Sequence, residues 1–490
     1  MMVNIPKVLN ENYCARVVEI EKIVALPNRD KIVGALIFGN QVIVSKDTKV
    51  GDVGIFFPVE TALSAEFMAF NNLHQDNTLN NDPSKKGFFG SKGRVKCQKF
   101  GGHKSEGFFI PLDSLEYVFH AQITKDDLPV GTKFEILDGK EICKKYVIKD
   151  SRTPREPGSK QKKSVKLSRL VDNQFRLHFD TLNLRMNAHK LNPNDYISIS
   201  SKYHGTSWVV GKVLVKDPIW QHTLAMKITG IDLYKNKKIA KYLKYLIKPA
   251  EKFQNYLIGT LLNVDNNSKP FYDVIWSSRK VVKNAFANPN PVHYYGMDIW
   301  GEIAEHVKDH IPAGITLYGE CVGYLPNGSA IQSSEGKCFD YGCEPGTYKL
   351  IVYRITSTNA EGKVFEFSWP QILEFCNRIS PYIGSGTCVG LETPNTYYYG
   401  KAKDYAPQIP IETHWNENFL AKLEKDFMKD ADCPFCKNVV PEEGIIISKE
   451  TLYERESFKL KNFRFLNKES EELDKEVVDI ETSQSEEDPV

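Results

Sequence analysis

The stretch DYISISSKYHGTSWVVGKVLV, residues 195–215, decides how this chain is read. Two runs rich in β-branched and aromatic residues flank a short polar turn made of Lys202, Tyr203, His204 and Gly205, the composition of two strands joined by a tight connection. A lysine at a strand end, followed by small residues, is well placed to face a nucleotide. Gly205 allows the backbone to turn sharply, and the hydroxyls of Thr206 and Ser207 can bond backbone or phosphate. Taken alone, a lysine in a polar turn is more often simply exposed, so so short a motif needs support from the rest of the chain.

Working outward, residues 15–137 hold short β-like runs (ARVVEIEKIVAL, DKIVGALIFG, NQVIVSKDT, GDVGIFFPV, GRVKCQKFGGHKSEGFFIPL, GTKFEIL) separated by turn residues, with the polar stretch NNLHQDNTLNNDPSKKG as a long loop. That spacing predicts a small β-barrel over 1–137. Between Lys140 and Arg169 the chain also carries Lys144, Lys145, Lys149, Arg152, Arg155, Lys160, Lys162, Lys163 and Lys166, with SRTPREPGSK in the middle. Residues 138–170 therefore read as a basic linker. It could anchor phosphates or serve only as a solvated spacer. From 171 to 467, strand-like runs alternate with helical patterns near 240–262 and 417–430, which predicts an α+β domain of antiparallel sheets flanked by helices. Residues 468–490 are acidic and lack aromatics, an expected disordered tail.

With 490 residues, 41% hydrophobic and 26% charged, the chain is a folded protein of two or three domains. A net charge of +2 argues neither for nor against nucleic acid; the local basic stretch is the only electrostatic pointer. There is no apolar run of membrane-spanning length. The opening MMVNIPKVLNENY is not a secretory leader, and the ten cysteines are thinly spread. A cytoplasmic protein with reduced thiols, no membrane association and a monomeric state is expected.

Downstream of Lys202 come Ser277-Ser278-Arg279-Lys280, then Tyr318-Gly319-Glu320-Cys321, then Tyr348-Lys349-Leu350-Ile351-Val352-Tyr353, then Glu442-Glu443-Gly444-Ile445, and last Phe458-Lys459-Leu460-Lys461. In that order they resemble the motif set of the covalent nucleotidyltransferases, the superfamily of DNA ligases, RNA ligases and mRNA capping enzymes. The resemblance covers residues 175–466. The K-x-H-G-T-S form, with histidine where DNA ligases and capping enzymes carry aspartate, is similar to one RNA-ligase branch. That branch has an OB-fold module ahead of its catalytic domain, and both the N-terminal β-rich region and FDTLNLRMNAHKLNPNDYISISSKYHGTS are similar to it. The resemblance implies an OB-like barrel followed by a nucleotidyltransferase (ATP-grasp-like ligase) domain. Only about thirty residues follow Lys461, too few for a downstream OB-fold, which speaks against the capping alternative.

The same resemblance implies an ATP-dependent RNA ligase that stores AMP on Lys202 and joins 5′-phosphate to 3′-hydroxyl RNA ends, in a nicked duplex or elsewhere, in RNA repair. A free lysine is only about one part in 2,500 neutral at pH 7, so the site must favour the amine. Lys459, Lys461 and a bound Mg²⁺ or Mn²⁺ are the candidate cations. Glu443 is the expected carboxylate for the hydrated metal, Glu320 for the ribose hydroxyls and Arg279 for a phosphate or the ribose. Tyr353 would stack on adenine or pack in the core. Cys433-Pro434-Phe435-Cys436 is half of a zinc knuckle that Cys338 and Cys343 could complete, or else two pairs of thiols that never meet. A non-catalytic OB-fold RNA-binding protein and a GTP-dependent capping-type guanylyltransferase are the alternatives.

Overall fold

The computed structural model describes residues 3–148, 169–178, 180–217, 221, 224, 227, 228, 244–262, 268–283, 294–412 and 414–475. The basic residues Lys149 to Lys166, most of the expected insertion at 217–262 ahead of residue 244, and residues 476–490 of the acidic tail lie outside them.

The chain is a mixed α+β protein built around two antiparallel sheets that Lys202 connects. The first runs in the order Leu182–Asn183, Arg455–Lys461, Gly444–Glu450, Tyr196–Ser201, Thr396–Lys401; only its outermost pair, Leu182–Asn183 with Arg455–Lys461, is parallel. The second runs Phe271–Ser278, Thr206–Val215, Ile315–Gly323, Tyr348–Thr358, Val364–Glu366, with Cys388–Glu392 added in parallel to Tyr348–Thr358. The chain leaves the first sheet at Ser201 and enters the second at Thr206. The four residues between must cross from one to the other, so Lys202 lies at the seam by topology.

Each sheet has its own cover. Helix Trp415–Phe427 presents Trp415, Phe419, Leu420 and Leu423, the i, i+4, i+5, i+8 stripe of one helical face. They pack on Ile197, Ile199, Ile445, Ile447, Phe458 and Leu460 of the first sheet. Helices Ile299–Val307 and Trp369–Ile379 bury Trp300, Ile303, Trp369 and Ile372 against Trp208, Leu317, Tyr348 and Val352 of the second. Those three indoles, almost wholly buried, bring polar N–H groups inside. Two of them are satisfied: Trp300 Nε1 donates to Ser207 O at 3.1 Å and Trp369 Nε1 to Thr396 Oγ1 at 3.1 Å.

The N-terminal region forms open sheets rather than the expected closed barrel. One has the order Lys133–Phe134, Ala15–Glu19, Val53–Phe57, Phe108–Pro111; another joins Lys22–Val24, Ile32–Ile37 and Asn40–Ser45. Among the described residues no ladder closes the ring. Phe67 and Met68 from helix Ala65–Phe70, with Leu112 and Leu115, fill the core beside the four-stranded sheet, so helical caps bury the apolar face that closure would otherwise cover.

Two boundaries differ from the sequence expectation. Cys143–Lys145 pairs with Thr61–Leu63, and Tyr146 and Ile148 pack against Ala62 and Leu473, so residues 140–148, expected in the linker, belong to the N-terminal body. Lys468–Asp474, expected in a disordered tail, is the end of helix Phe463–Asp474. Its end meets a buried cation: Arg94 reaches Asp474 Oδ1 at 2.5 Å and Ser470 O at 2.7 Å while pairing with Glu60. Acidity here is charge complementarity with a cation 94 residues from the start, which composition alone reads as solvation. Arg185, held by Glu106 at 2.9 Å, Asn40 at 2.6 Å and Glu424 at 2.8 Å, makes a second polar rivet between the N-terminal body and the first sheet. Among the described residues no helix is long and apolar enough to cross a membrane.

Candidate active site in the seam between the sheets

Lys202 leaves strand Tyr196–Ser201 with its amide donating to Gly444 O at 2.9 Å. Gly444 has φ +138, and a Cβ there would stand 2.1 Å from Leu460 O. Glycine after Glu443 is therefore required both by conformation and by the close approach of strand Arg455–Lys461. Gly205 is required for the second reason alone: its Cβ would meet Cys321 O at 2.2 Å, so it serves strand packing rather than the sharp turn expected for it. Thr206 and Ser207 are buried in the strand.

This register brings three charged groups together. Lys202 Nζ lies 2.8 Å from Glu443 Oε1, and Lys461 Nζ lies 3.4 Å from the same oxygen and 3.1 Å from Glu469 Oε2. Burial pushes the Glu443 carboxyl up, but the charges of Lys202, Lys461 and His204 more than offset it and hold the group below the usual carboxylate value. Burial pulls Lys461 down, yet Glu469 and Glu443 hold it above the usual lysine value. Lys459, two residues earlier on the same face of its strand, has no such compensation. Burial first, then the Lys461 charge, push it down to about 7, although Asp180 opposes the shift.

Arg279 follows strand Phe271–Ser278 and is ion-paired with Asp180. Asn10 Nδ2 donates to the other Asp180 oxygen at 3.0 Å. Burial raises this carboxyl, but Arg279, Lys145 and Lys459 more than offset it, and it stays well below the usual range. Glu320, half-buried, lies opposite Ser207 and Ile351 on strand Ile315–Gly323. Tyr353 sits on the neighbouring strand with its hydroxyl 3.4 Å from His178 Nδ1 and its ring edge-on to that imidazole. Tyr318 donates to Arg176 O at 3.1 Å. Arg176, His178 and Asp180 thus run past Tyr318, Tyr353 and Arg279 in turn.

Asp180, Tyr13 and Glu469 are residues that sequence reasoning gave no place in the site, and Lys145, read only as part of the basic linker, joins them. Tyr13 is half-buried, its hydroxyl pushed up first by burial and then by Asp180. It lines, with Lys145, Lys459, Lys461 and Glu469, a cavity of about 100 Å³. Asp180 stood in the FDT stretch already singled out, but a lone carboxylate has no motif. The only signal was that so basic a neighbourhood needs a counter-charge.

On the other side of the Lys202 turn, His204 is wedged edge-to-face between Phe339 and Phe465, ring centroids 4.9 and 5.1 Å away. A cavity of about 470 Å³ opens beside it, lined in part by Gln332, Ser334, Glu469 and Glu472. Gln332 Nε2 donates to Gly205 O at 3.0 Å and His204 N donates to the Tyr341 hydroxyl at 2.7 Å, so the turn that follows Lys202 is held at two points.

Glu443 has the features of a cation ligand. Its Oε2 is buried and makes no hydrogen bond among the described residues; His204 Nδ1 stands 4.0 Å from it. An orphaned anionic oxygen is costly unless something fills its coordination, and a hard carboxylate oxygen suits Mg²⁺ or Mn²⁺. The zinc expectation does not hold. Among the described residues no three His, Cys, Asp or Glu side chains are grouped to hold a metal. Cys338 and Cys343 instead donate to Gly323 O and Val322 O. Asp340 accepts from Lys437 N at 2.9 Å and Asn438 N at 2.8 Å, so a carboxylate rather than a metal ties the Cys433–Cys436 knuckle to the loop bearing the other pair.

No protein-family model matches the sequence, and no curated protein is similar to it. Solved structures of a Naegleria gruberi RNA ligase resemble it in overall shape. A form with pyrophosphate aligns over 93% of this chain and 98% of its own at 12% identity and a TM-score of 0.49. Mutants with AMP and Mn, and with ATP and Mn, align over the same shares at the same identity, with TM-scores of 0.47 and 0.48. A likeness this distant carries no residue roles, which rest on the side chains of the seam.

Proposed function

We propose that this chain is an ATP-dependent RNA ligase acting through a lysyl-AMP intermediate. The observation that carries the reading is the convergence of Lys202 with Glu443 and Lys461, 241 and 259 residues further along the chain, at the junction of two sheets, with Lys459 and Arg279 nearby. A half-buried amine sharing a buried carboxylate with a second lysine, with further cations beside them, is a costly arrangement with little structural use, and it matches the needs of nucleotidyl transfer.

In the first step the Lys202 amine forms a bond to the α-phosphorus of ATP as the α–β bridging P–O bond breaks and pyrophosphate leaves. A 5′-phosphate oxygen of RNA then takes the AMP, breaking the P–N bond and giving a 5′-5′ pyrophosphate linkage. Last, a 3′-hydroxyl oxygen attacks the RNA phosphate and AMP departs. Lys459, Lys461 and Arg279 would hold phosphate oxygens, Glu320 would accept from ribose hydroxyls, and Tyr353 would lie against the base once His178 gives way. Glu443 would hold Mg²⁺ or Mn²⁺, whose contribution is to neutralise charge on the phosphates. The N-terminal body and the basic segment 149–169 would hold the RNA ends by backbone charge.

Incubation of the purified protein with α-radiolabelled ATP or GTP and Mg²⁺ or Mn²⁺, followed by a denaturing gel, tests this. Acid-labile label from ATP, absent in Lys202→Ala and discharged onto 5′-phosphorylated RNA, is the expected result. Label from GTP alone would replace the reading with a capping one, and no label in protein free of prior AMP would remove the enzyme reading.

A further inference from the structure

Helix Phe463–Asp474 begins just after Lys461, with Asn462 between them donating its amide to Glu443 O at 2.9 Å. Phe465, Glu469 and Leu473 follow at i, i+4 and i+8, on one face of the helix. Each meets a different part of the molecule. Phe465 packs edge-to-face on His204 at 5.1 Å, Glu469 pairs with Lys461, and Leu473 packs with Ala62, Tyr146 and Ile148 of the N-terminal body. Ser470 fixes the helix from outside the seam: its hydroxyl donates to Glu60 Oε1 at 3.0 Å and accepts from Cys97 N at 3.1 Å, while Arg94 donates to its carbonyl at 2.7 Å. Glu469 therefore reaches the seam on a support that the seam itself does not provide.

The Lys461 ammonium has three protons to donate. It stands 3.2 and 3.1 Å from the two Glu469 oxygens and 3.4 Å from Glu443 Oε1, an oxygen that Lys202 already holds at 2.8 Å. Its amine also lies 4.9 Å from the centre of the Phe465 ring on the same helix. Burial works against the Lys461 charge, and of the groups that sustain it Glu469 acts ahead of Glu443. Without the Glu469 charge, Lys461 would turn to Glu443, and two lysines would close on one oxygen.

We propose that Glu469 is a positioning residue that holds Lys461 off Glu443. This rests on the ligase reading above, in which Lys461 meets phosphate oxygens from a fixed place and Glu443 keeps an oxygen for a cation. Misplacing such a group by about 1 Å costs up to about 100-fold in rate. Charge, not bulk, does the positioning, and the two are separable. Glutamine fills the same space and still accepts a hydrogen bond but is neutral; aspartate keeps the charge on a shorter arm. A role in packing alone would favour glutamine, and a role through charge favours aspartate.

The test uses the full-length protein with Glu469→Gln, Glu469→Asp and, where the same helix meets Arg94 and Lys96, Asp474→Asn. Single-turnover AMP loading is followed over a range of ATP concentrations beside thermal melts, and crystal structures of the nucleotide-free wild type and Glu469→Gln are compared. In Glu469→Gln the loading rate at saturating ATP is expected to fall about tenfold or more, with half-saturating ATP changed less than about threefold. Glu469→Asp should recover most of the rate, Asp474→Asn should stay within about twofold of wild type, and in the Glu469→Gln crystal Lys461 should sit closer to Glu443. Lys461 unmoved, loading undiminished in Glu469→Gln, aspartate slower than glutamine, or an equal loss in Asp474→Asn would overturn the proposal, the last two by showing that Glu469 only docks the helix. If the wild type takes no label from ATP, the ligase reading falls, and the crystal structures alone decide whether Glu469 places Lys461.

Discussion

A buried carboxylate and a half-buried one sit in the same seam and do different things. Glu443 is 3% exposed, fixed by the register of two strands, and shares one oxygen between Lys202 and Lys461 while the other makes no hydrogen bond. Asp180 lies ahead of the first sheet on a segment outside both, and is satisfied by Arg279 and Asn10 with Lys145 and Lys459 near. The contrast teaches that burial of an anion among cations is not one role. A carboxylate with spare coordination in a rigid strand suits an incoming cation. One already saturated by Arg279 would, under the proposed function, compete with a nucleotide's phosphates for the same cations.

The sharpest break in this comparison comes from the groups themselves. Lys202→Ala should reduce covalent labelling by ATP to background while leaving the fold intact, measured on a gel beside a thermal melt; persistent label would move the nucleophile elsewhere. Next, Glu443→Gln should weaken divalent-cation dependence by about 10–100-fold, the range for carboxylates that support a metal. It should also cost about 3 kcal/mol of stability, because Lys202 and Lys461 lose their shared counter-charge; both are read from cation titrations and denaturant melts.

Asp180→Asn should act in the opposite direction on the nucleotide. With one competing anion gone, ATP should bind roughly three- to tenfold tighter, about 1 kcal/mol, while the nucleotide-free protein loses about 2 kcal/mol of stability. Weaker ATP binding by calorimetry would show that Asp180 supports the site instead of guarding it.

The smallest effect is a pH slope. Lys459 titrates near 7 in the nucleotide-free protein, and phosphate beside it would raise that value, so binding takes up a proton above pH 7. ATP affinity should therefore fall as pH rises from about 7 to 9, by at most about tenfold per unit. Lys459→Arg, always charged, should flatten the slope, with proton uptake read by calorimetry in buffers of different ionisation heat.

The strand-like runs DYISIS and WVVGKVLV and the apolar spacing at Phe419 and Leu423 were legible because periodicity is a local property, whereas Trp415, which opens the helix, lay outside the stretch read from sequence. Lys202, Glu443, Lys459 and Lys461 were candidates through the resemblance of their motifs, taken in order, to those of the covalent nucleotidyltransferases. A closed barrel is not seen among the described residues, because short β-like runs do not say which edges pair and which are capped by a helix. The tail expectation failed at Lys468–Asp474 because acidity looks the same whether it faces water or Arg94.

What the sequence determined by itself was where strands and helices begin and which residue types could do chemistry, because these follow from each residue and its near neighbours. Only the tertiary structure decided that Glu443 meets both Lys202 and Lys461, that Asp180 compensates Arg279, that Lys459 is left short of counter-charge, and that the four cysteines do not meet as a metal site. These are statements about charges brought together from distant positions in a low-dielectric interior. Distance and burial set their energies there, and neither is written in the order of residues.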